Sequence, residues 1–141
     1  MIVVIDTNAL LQALGNHSHV RPLLNAWFRG GLIWAISNEI QHEYEEIITK
    51  RSGSARWQRL EMMLNFVAEA RPTTLLHVSP TFHFRQIIDD PDDDKFVDCA
   101  IAAEADYIIT SDHHFDVLIG SGYKPQPTTP EEFIRRHLTL P

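Results

Sequence analysis

Two hydrophobic runs in this chain each stop at a carboxylate. The first reads Ile2-Val3-Val4-Ile5-Asp6-Thr7-Asn8, the second Asp106-Tyr107-Ile108-Ile109-Thr110-Ser111-Asp112. Both are too apolar and β-branched for surface segments. Laid side by side and parallel, they bring Asp6 and Asp112 to one sheet edge. Between them in sequence lie Glu43 and the run Asp89-Asp90-Pro91-Asp92-Asp93-Asp94. Carboxylates that converge in a dry crevice must take up protons or bind a cation. A divalent metal is therefore the first chemistry these residues suggest. Three or four acids can hold one or two Mg2+ or Mn2+ ions, hard cations that prefer oxygen. Two such ions roughly 3.5–4 Å apart stabilise the attacking and leaving oxygens of an in-line phosphodiester displacement, with water as nucleophile.

Each acid also has a plainer reading. Asp6 can simply cap the helix that follows it, a role compatible with ligand binding outside the carboxyl ends of parallel strands. Asp112 alone would pass for a turn residue beside Ser111. Thr110, two residues earlier, can hold a water or a carboxylate by its hydroxyl. Glu43 sits near the end of the second turn of a helix opened by Ser37, next to Tyr44 on the apolar face. Helical spacing alone would leave it a solvated charge, with Glu45 and Glu46 on the wet face. Asp90-Pro91 is a good turn initiator, and the acidic run lacks EF-hand spacing. Yet the run opens a helix whose first-turn carboxylates point at the same edge as Asp112. Asp93 precedes Phe96 and Ala100 on the face that should meet the sheet, and Asp94 is its close alternative. His113 and His114 read as solvated loop residues that can reach a phosphate or the metal. His17 and His19 lack a third ligand, and His42 points about 100° away from Glu43 on its helix.

These residues need a frame. Strands are expected at Ile2–Ile5, Leu32–Ile36, Leu75–Val78 and Tyr107–Ile109, with a short one near Tyr123-Lys124. Helices are expected from Thr7 or Asn8 to Leu14 (ended by Gly15-Asn16), Val20 to Arg29, Ser37 to about Arg51, Ala55 to Ala70 and Asp92 to Ala103. A further helical turn is expected at Phe84–Ile88, inside the connection from Pro80 to Asp90. Thr129-Pro130-Glu131-Glu132 reads as a capping box opening a last helix to about His137. Strands alternate with helices and no tight hairpin signal intervenes. The pattern predicts an α/β chain, a three-layer α-β-α arrangement around a parallel sheet of about four to five strands. Right-handed crossovers would put every strand's carboxyl end on one edge.

The length of 141 residues suggests a single domain over 1–141. Hydrophobic residues make up 44%, enough for a core and too interrupted for a membrane span. The first residues run straight into a strand without a leader pattern, so a cytoplasmic location is the default expectation. The one cysteine, Cys99, leaves no internal disulfide or multi-cysteine zinc site and reads as a small buried helix residue. A net charge of −7 argues against a basic nucleic-acid footprint, unless bound cations cancel part of it. The basic residues are uneven: Lys50, Arg51, Arg56 and Arg59 gather around Trp57. They form either a solvated helix junction or a contact surface for RNA or a protein partner.

In order and combination, the motifs resemble a PIN domain. They are Val4-Ile5-Asp6-Thr7-Asn8, Ser37 with Glu43, Asp90-Pro91-Asp92-Asp93 before an Ala-rich helix, and Ile109-Thr110-Ser111-Asp112. Thr129-Pro130-Glu131-Glu132-Phe133 is similar to the closing segment of a bacterial branch, the VapC-like toxins of toxin–antitoxin pairs. The resemblance implies a Mg2+- or Mn2+-dependent endoribonuclease cutting single-stranded RNA. Its acids would be Asp6, Glu43, Asp93 and Asp112, with Asp94 competing for the third position and Thr7, Asn8, Ser37 and Thr110 in support. It also implies a homodimer held silent by a small antitoxin. Two other readings stand beside it. A HAD-like phosphatase would need an acid where Asn8 stands, and a PIN-like binding module would keep the pocket without cleaving.

Overall fold

The computed structural model describes residues 1–15, 17–87 and 90–138. Val3, Val4 and Ile5 are fully buried, as expected of a strand covered on both faces. They form β1 (Ile2–Ile5), the centre of a five-stranded sheet with β2 (Ile33–Ile36), β3 (Leu75–His77), β4 (Tyr107–Ile109) and β5 (Gln126–Thr128). The order is β3-β2-β1-β4-β5 and every pairing is parallel. The chain builds outward from β1 to β3, then returns to the other side of β1. The strand order thus reverses between β1 and β4, where the crevice of such sheets lies. Val3, Val4 and Ile5 face Tyr107, Ile108 and Ile109 in register. The Asp6 N–H continues the ladder to the Ile109 carbonyl at 2.9 Å.

Helices α1 (Thr7–Ala13), α2 (Arg21–Phe28), α3 (Asn38–Ser52), α4 (Ser54–Ala70) and α5 (Asp94–Ala102) complete the three-layer α-β-α fold, with a short α6 (Pro130–Phe133). Helix α5 packs on β1, β2 and β4, and also meets α3. Ser37 caps α3, its hydroxyl accepting from the Ile40 N–H at 3.3 Å. Gly53, at φ 93°, turns the chain from α3 into α4, a conformation that favours glycine. Trp27 meets Trp34 edge-on at 4.9 Å, and its indole N–H reaches the Thr74 carbonyl at 2.9 Å. Cys99 is fully buried in α5. Among the described residues no helix is long and apolar enough to cross a membrane.

One core contact bears directly on the site. The buried Tyr44 hydroxyl donates to the Ile5 carbonyl, tying α3 to the end of β1. Tyr44→Phe strands that carbonyl and is expected to cost about 1–2 kcal/mol. Urea denaturation of both proteins checks this; equal midpoints would show that the bond adds nothing.

Five expectations shift. The last strand lies at Gln126–Thr128, three residues beyond Tyr123-Lys124. The Tyr123 N–H turns to the Ser121 hydroxyl instead, and Pro127 is tolerated because β5 is an edge strand. Phe84 to Ile87 are not helical, because the Phe84 and Ile87 N–H groups are taken by the Asp98 and Asp94 carboxylates; Ile88 and Asp89 lie outside the described residues, as does Asn16. The acidic run enters α5 through a 3-10 turn, Pro91–Asp93. Helix α1 is capped at the Asp6 position rather than at Thr7 or Asn8. Thr129 does cap α6, but the helix passes into a π-helical turn at Ile134–Leu138, and Glu132 pairs forward with Arg135 and Arg136.

Candidate active site

Thr110 joins the two strand-end acids. Its hydroxyl donates to Asp6 Oδ2 at 2.8 Å and accepts the Asp112 N–H at 3.0 Å. Asp6 is only 5% exposed, which is why its carboxyl is pushed up to about 6. Burial is the largest cause, opposed by the Thr110 and Thr7 hydrogen bonds and reinforced by the charges of Asp112 and Glu43. Asp112 Oδ1 accepts the His114 N–H at 2.9 Å, which turns the chain back over the acids.

Helix α3 delivers Glu43 to the same place. Its Oε2 accepts the Thr7 hydroxyl and its Oε1 meets the Lys95 ammonium at 2.8 Å. Lys95 also donates to the Asp92 carbonyl, so one cation bridges α3 and the start of α5. Asp93 is pushed up to about 7, first by burial, then by the charges of Asp6, Asp90, Asp112 and Glu43. All four expected acids therefore act on one another. Asp93 Oδ2 is buried and has no hydrogen-bond partner among the described residues. Asp94, by contrast, accepts the Ile87 N–H at 2.8 Å and lines a different hollow with Glu39, His83 and Asp98.

A cavity of about 480 Å3 opens beside the acids, lined by Asp6, Asn8, Gln12, Arg51, Ser111 and Asp112. Arg51 reaches Asn8 Oδ1 at 3.5 Å across its mouth. The basic group divides here. Arg56 and Arg59 line a separate groove of about 280 Å3 with Arg21, Leu24 and Phe28, Lys50 is exposed on α3, and Trp57 is buried at 4% exposure. Sequence reasoning passed over Lys95, read Asp90 as a turn initiator and read His114 as a solvated loop residue that can reach the metal. His114 Nδ1 lies 3.8, 3.7 and 3.4 Å from carboxylate oxygens of Asp90, Asp93 and Asp112. Ligand atoms of Asp90, Asp93 and His114 all lie within 4.8 Å of one another. A hard divalent cation fits this setting: the donors are mainly carboxylate oxygens, one is buried without a partner among the described residues, and two acids have carboxyls pushed up first by burial and then by neighbouring charges.

The fold is similar to that of a chain in the crystal structure of VapBC2 from Rickettsia felis bound to a DNA fragment from their promoter. The TM-score is 0.61 at 17% identity, over 91% of this chain and 99% of that one; at that identity the likeness is one of fold. No curated protein sequence matches the chain. The family profile described as PIN domain matches residues 2–114, a span that holds Asp6, Glu43, Asp93, Asp112 and His114. With most of its length matched, and with strand-end acids meeting where the strand order reverses, the chain belongs to the PIN-domain family.

Proposed function

We propose that this chain is a metal-dependent endoribonuclease that hydrolyses phosphodiester bonds of single-stranded RNA, and that it is the toxin of a toxin–antitoxin pair. The observation that carries the reading is the set of contacts that gathers the acids: the Thr110 hydroxyl donates to Asp6 and accepts the Asp112 N–H, Glu43 accepts the hydroxyl of Thr7, the residue after Asp6, and His114 Nδ1 lies 3.7 Å from Asp93 and 3.4 Å from Asp112. These four would hold one or two Mg2+ or Mn2+ ions. When bound, the metal supplies Lewis-acid charge at the phosphate and lowers the pKa of the attacking water.

The chain's own residues prepare the place. The Thr110 hydroxyl fixes the Asp6 carboxylate, while Thr7 and Lys95 fix the two oxygens of Glu43. Ser37 holds the start of the helix that carries Glu43. Asn8 and Arg51, at the cavity mouth, suit phosphate contacts that position a strand without reading its sequence. Lys50, Arg56 and Arg59 would extend such contacts along the junction of α3 and α4. The likeness to a chain of the VapBC2 complex supports a small antitoxin as partner; a homodimer as the working state is part of the same proposal. A cytoplasmic location accords with that role. Asn8 at the second position after Asp6 gives a HAD-like phosphatase no general acid.

The test is cleavage of single-stranded RNA with added Mg2+ or Mn2+. Cleavage is expected with either ion and is expected to stop in EDTA. Cleavage that survives EDTA would overturn the mechanism, and RNA binding without cleavage would favour the silent binding module. A companion pair separates Asp93 from Asp94. Asp94→Ala frees the Ile87 N–H and is expected to cost about 1–2 kcal/mol of stability, while Mg2+ affinity by calorimetric titration stays within about twofold. Asp93→Ala is expected to weaken Mg2+ binding about tenfold or more. The reverse pattern would move the third ligand to Asp94.

A further inference from the structure

Two of the four acids differ in what they can still offer an ion. Asp93 Oδ2 is buried with no hydrogen-bond partner among the described residues. Glu43 has both oxygens engaged: Oε2 accepts the Thr7 hydroxyl, and Oε1 lies 2.8 Å from the Lys95 ammonium. The Lys95 and Glu43 side chains are only 17% and 24% exposed, so solvent screens the pair weakly. Lys95 is held from two further sides. Its ammonium donates to the Asp92 carbonyl at 2.8 Å. It also lies 5.7 Å from the centroid of the buried Phe96 ring, within reach of a cation–π attraction. A dication on Glu43 Oε1 would meet this ammonium at close range, and like charges so near repel strongly where water is scarce.

We propose that the pocket works with one divalent ion, held by Asp6, Asp93 and Asp112, and that Lys95, locked to Glu43, stands in for a second ion. This role rests on the nuclease reading and narrows its ion count. In a two-ion site the second charge stabilises an oxygen of the phosphodiester displacement. An ammonium fixed in advance supplies positive charge in the same way. Lys95 uses two of its three N–H bonds on Glu43 and the Asp92 carbonyl, so the third can meet a phosphate oxygen. Glu43 is then a positioning residue. It sets the ammonium, and Thr7, one residue beyond Asp6, sets Glu43.

Mn2+ stoichiometry decides between one ion and two, read by electron paramagnetic resonance and calorimetric titration, with circular dichroism confirming the fold of each protein. Wild type and Lys95→Arg are expected to bind one ion, with the hyperfine-split spectrum of an isolated Mn2+. Lys95→Met releases Glu43 and is expected to bind two, whose spectrum broadens through coupling between ions roughly 3.5–4 Å apart. The charge-balanced double variant, Glu43→Gln with Lys95→Met, removes both partners. It is expected to keep one ion within about threefold of wild-type affinity, whereas loss of a ligand costs about tenfold or more. Two ions on wild type would overturn the proposal and leave the nuclease reading in place. So would a ligand-sized loss in the double variant, which would make Glu43 a metal ligand. So would a single ion on Lys95→Met: at raised affinity Lys95 is a plug that metal displaces, and at unchanged affinity it is only a structural tie. A wild type that binds no Mn2+ would overturn both readings together.

Discussion

Asp6→Asn is expected to reduce Mg2+-dependent RNA cleavage about a thousandfold while leaving the protein folded. The substitution keeps shape and one carbonyl oxygen, so the Thr110 hydroxyl, now 2.8 Å from Asp6 Oδ2, still has an acceptor. What disappears is a charge beside the proposed metal, where electrostatic stabilisation of the transition state is worth several kcal/mol; a thousandfold corresponds to about 4 kcal/mol. The folded state loses little, because Asp6 is 5% exposed and its charge is costly where it sits. Metal-free Asp6→Asn should therefore melt at or above the wild-type temperature. Single-turnover cleavage at saturating Mg2+, read beside thermal melting, separates chemistry from folding. A variant within tenfold of wild type would remove Asp6 from the proposed mechanism, and a variant that unfolds would show the residue to be structural.

The parts that could be read from the residues are those where one physical demand dominates. Ile2–Ile5 and Tyr107–Ile109 are strands because buried parallel strands must be apolar on both faces, and that alone places Asp6 and Asp112 at one edge. Glu43 is different. Helical spacing left it a solvated charge, and only the resemblance singled it out; its partners Thr7 and Lys95 come from distant segments. The choice between Asp93 and Asp94 was illegible for a local reason. The chain changes there from a 3-10 turn to an α-helix, so the facing of adjacent residues depends on where the change falls. Strand β5 was misplaced because Gln126-Pro127-Thr128 carries little β signal and is held at an edge by backbone pairing to β4. His114 joins the acids only because its own N–H binds Asp112 and turns the loop back, a closure no spacing rule anticipates. Proximity in sequence also misled: Arg51 faces the acidic cavity, whereas Arg56 and Arg59 line another groove.

The metal-free protein is expected to lose stability as pH rises from about 4 to about 7. In the folded chain the Asp93 carboxyl is pushed up to about 7 and that of Asp6 to about 6, against an ordinary value of 3.8. Between those limits the folded state holds more protons than the unfolded one, so raising the pH favours unfolding. Below about pH 4 both states are protonated at these groups and the effect vanishes; above about 7 it is complete. Asp106, Glu131 and Glu132 have carboxyls held below their ordinary values, and their contribution is lost on acidification below about 4, outside this window. At about 1.4 kcal/mol per pKa unit, and discounting for the solvent that still reaches Asp93, its share is about 2–3 kcal/mol. Asp93→Asn removes the charge that must be buried. In EDTA it should match wild type near pH 4 and melt several degrees higher at pH 8. Added Mg2+ or Mn2+ should reverse that order, because wild type gains binding energy, about 2.7 kcal/mol at a hundred times the dissociation constant, and the variant gains little. Melting curves from pH 4 to 8, with EDTA and with metal, would show the two lines crossing. A wild type more stable at pH 8 than at pH 5 without metal would mean the Asp93 charge is already compensated inside the protein.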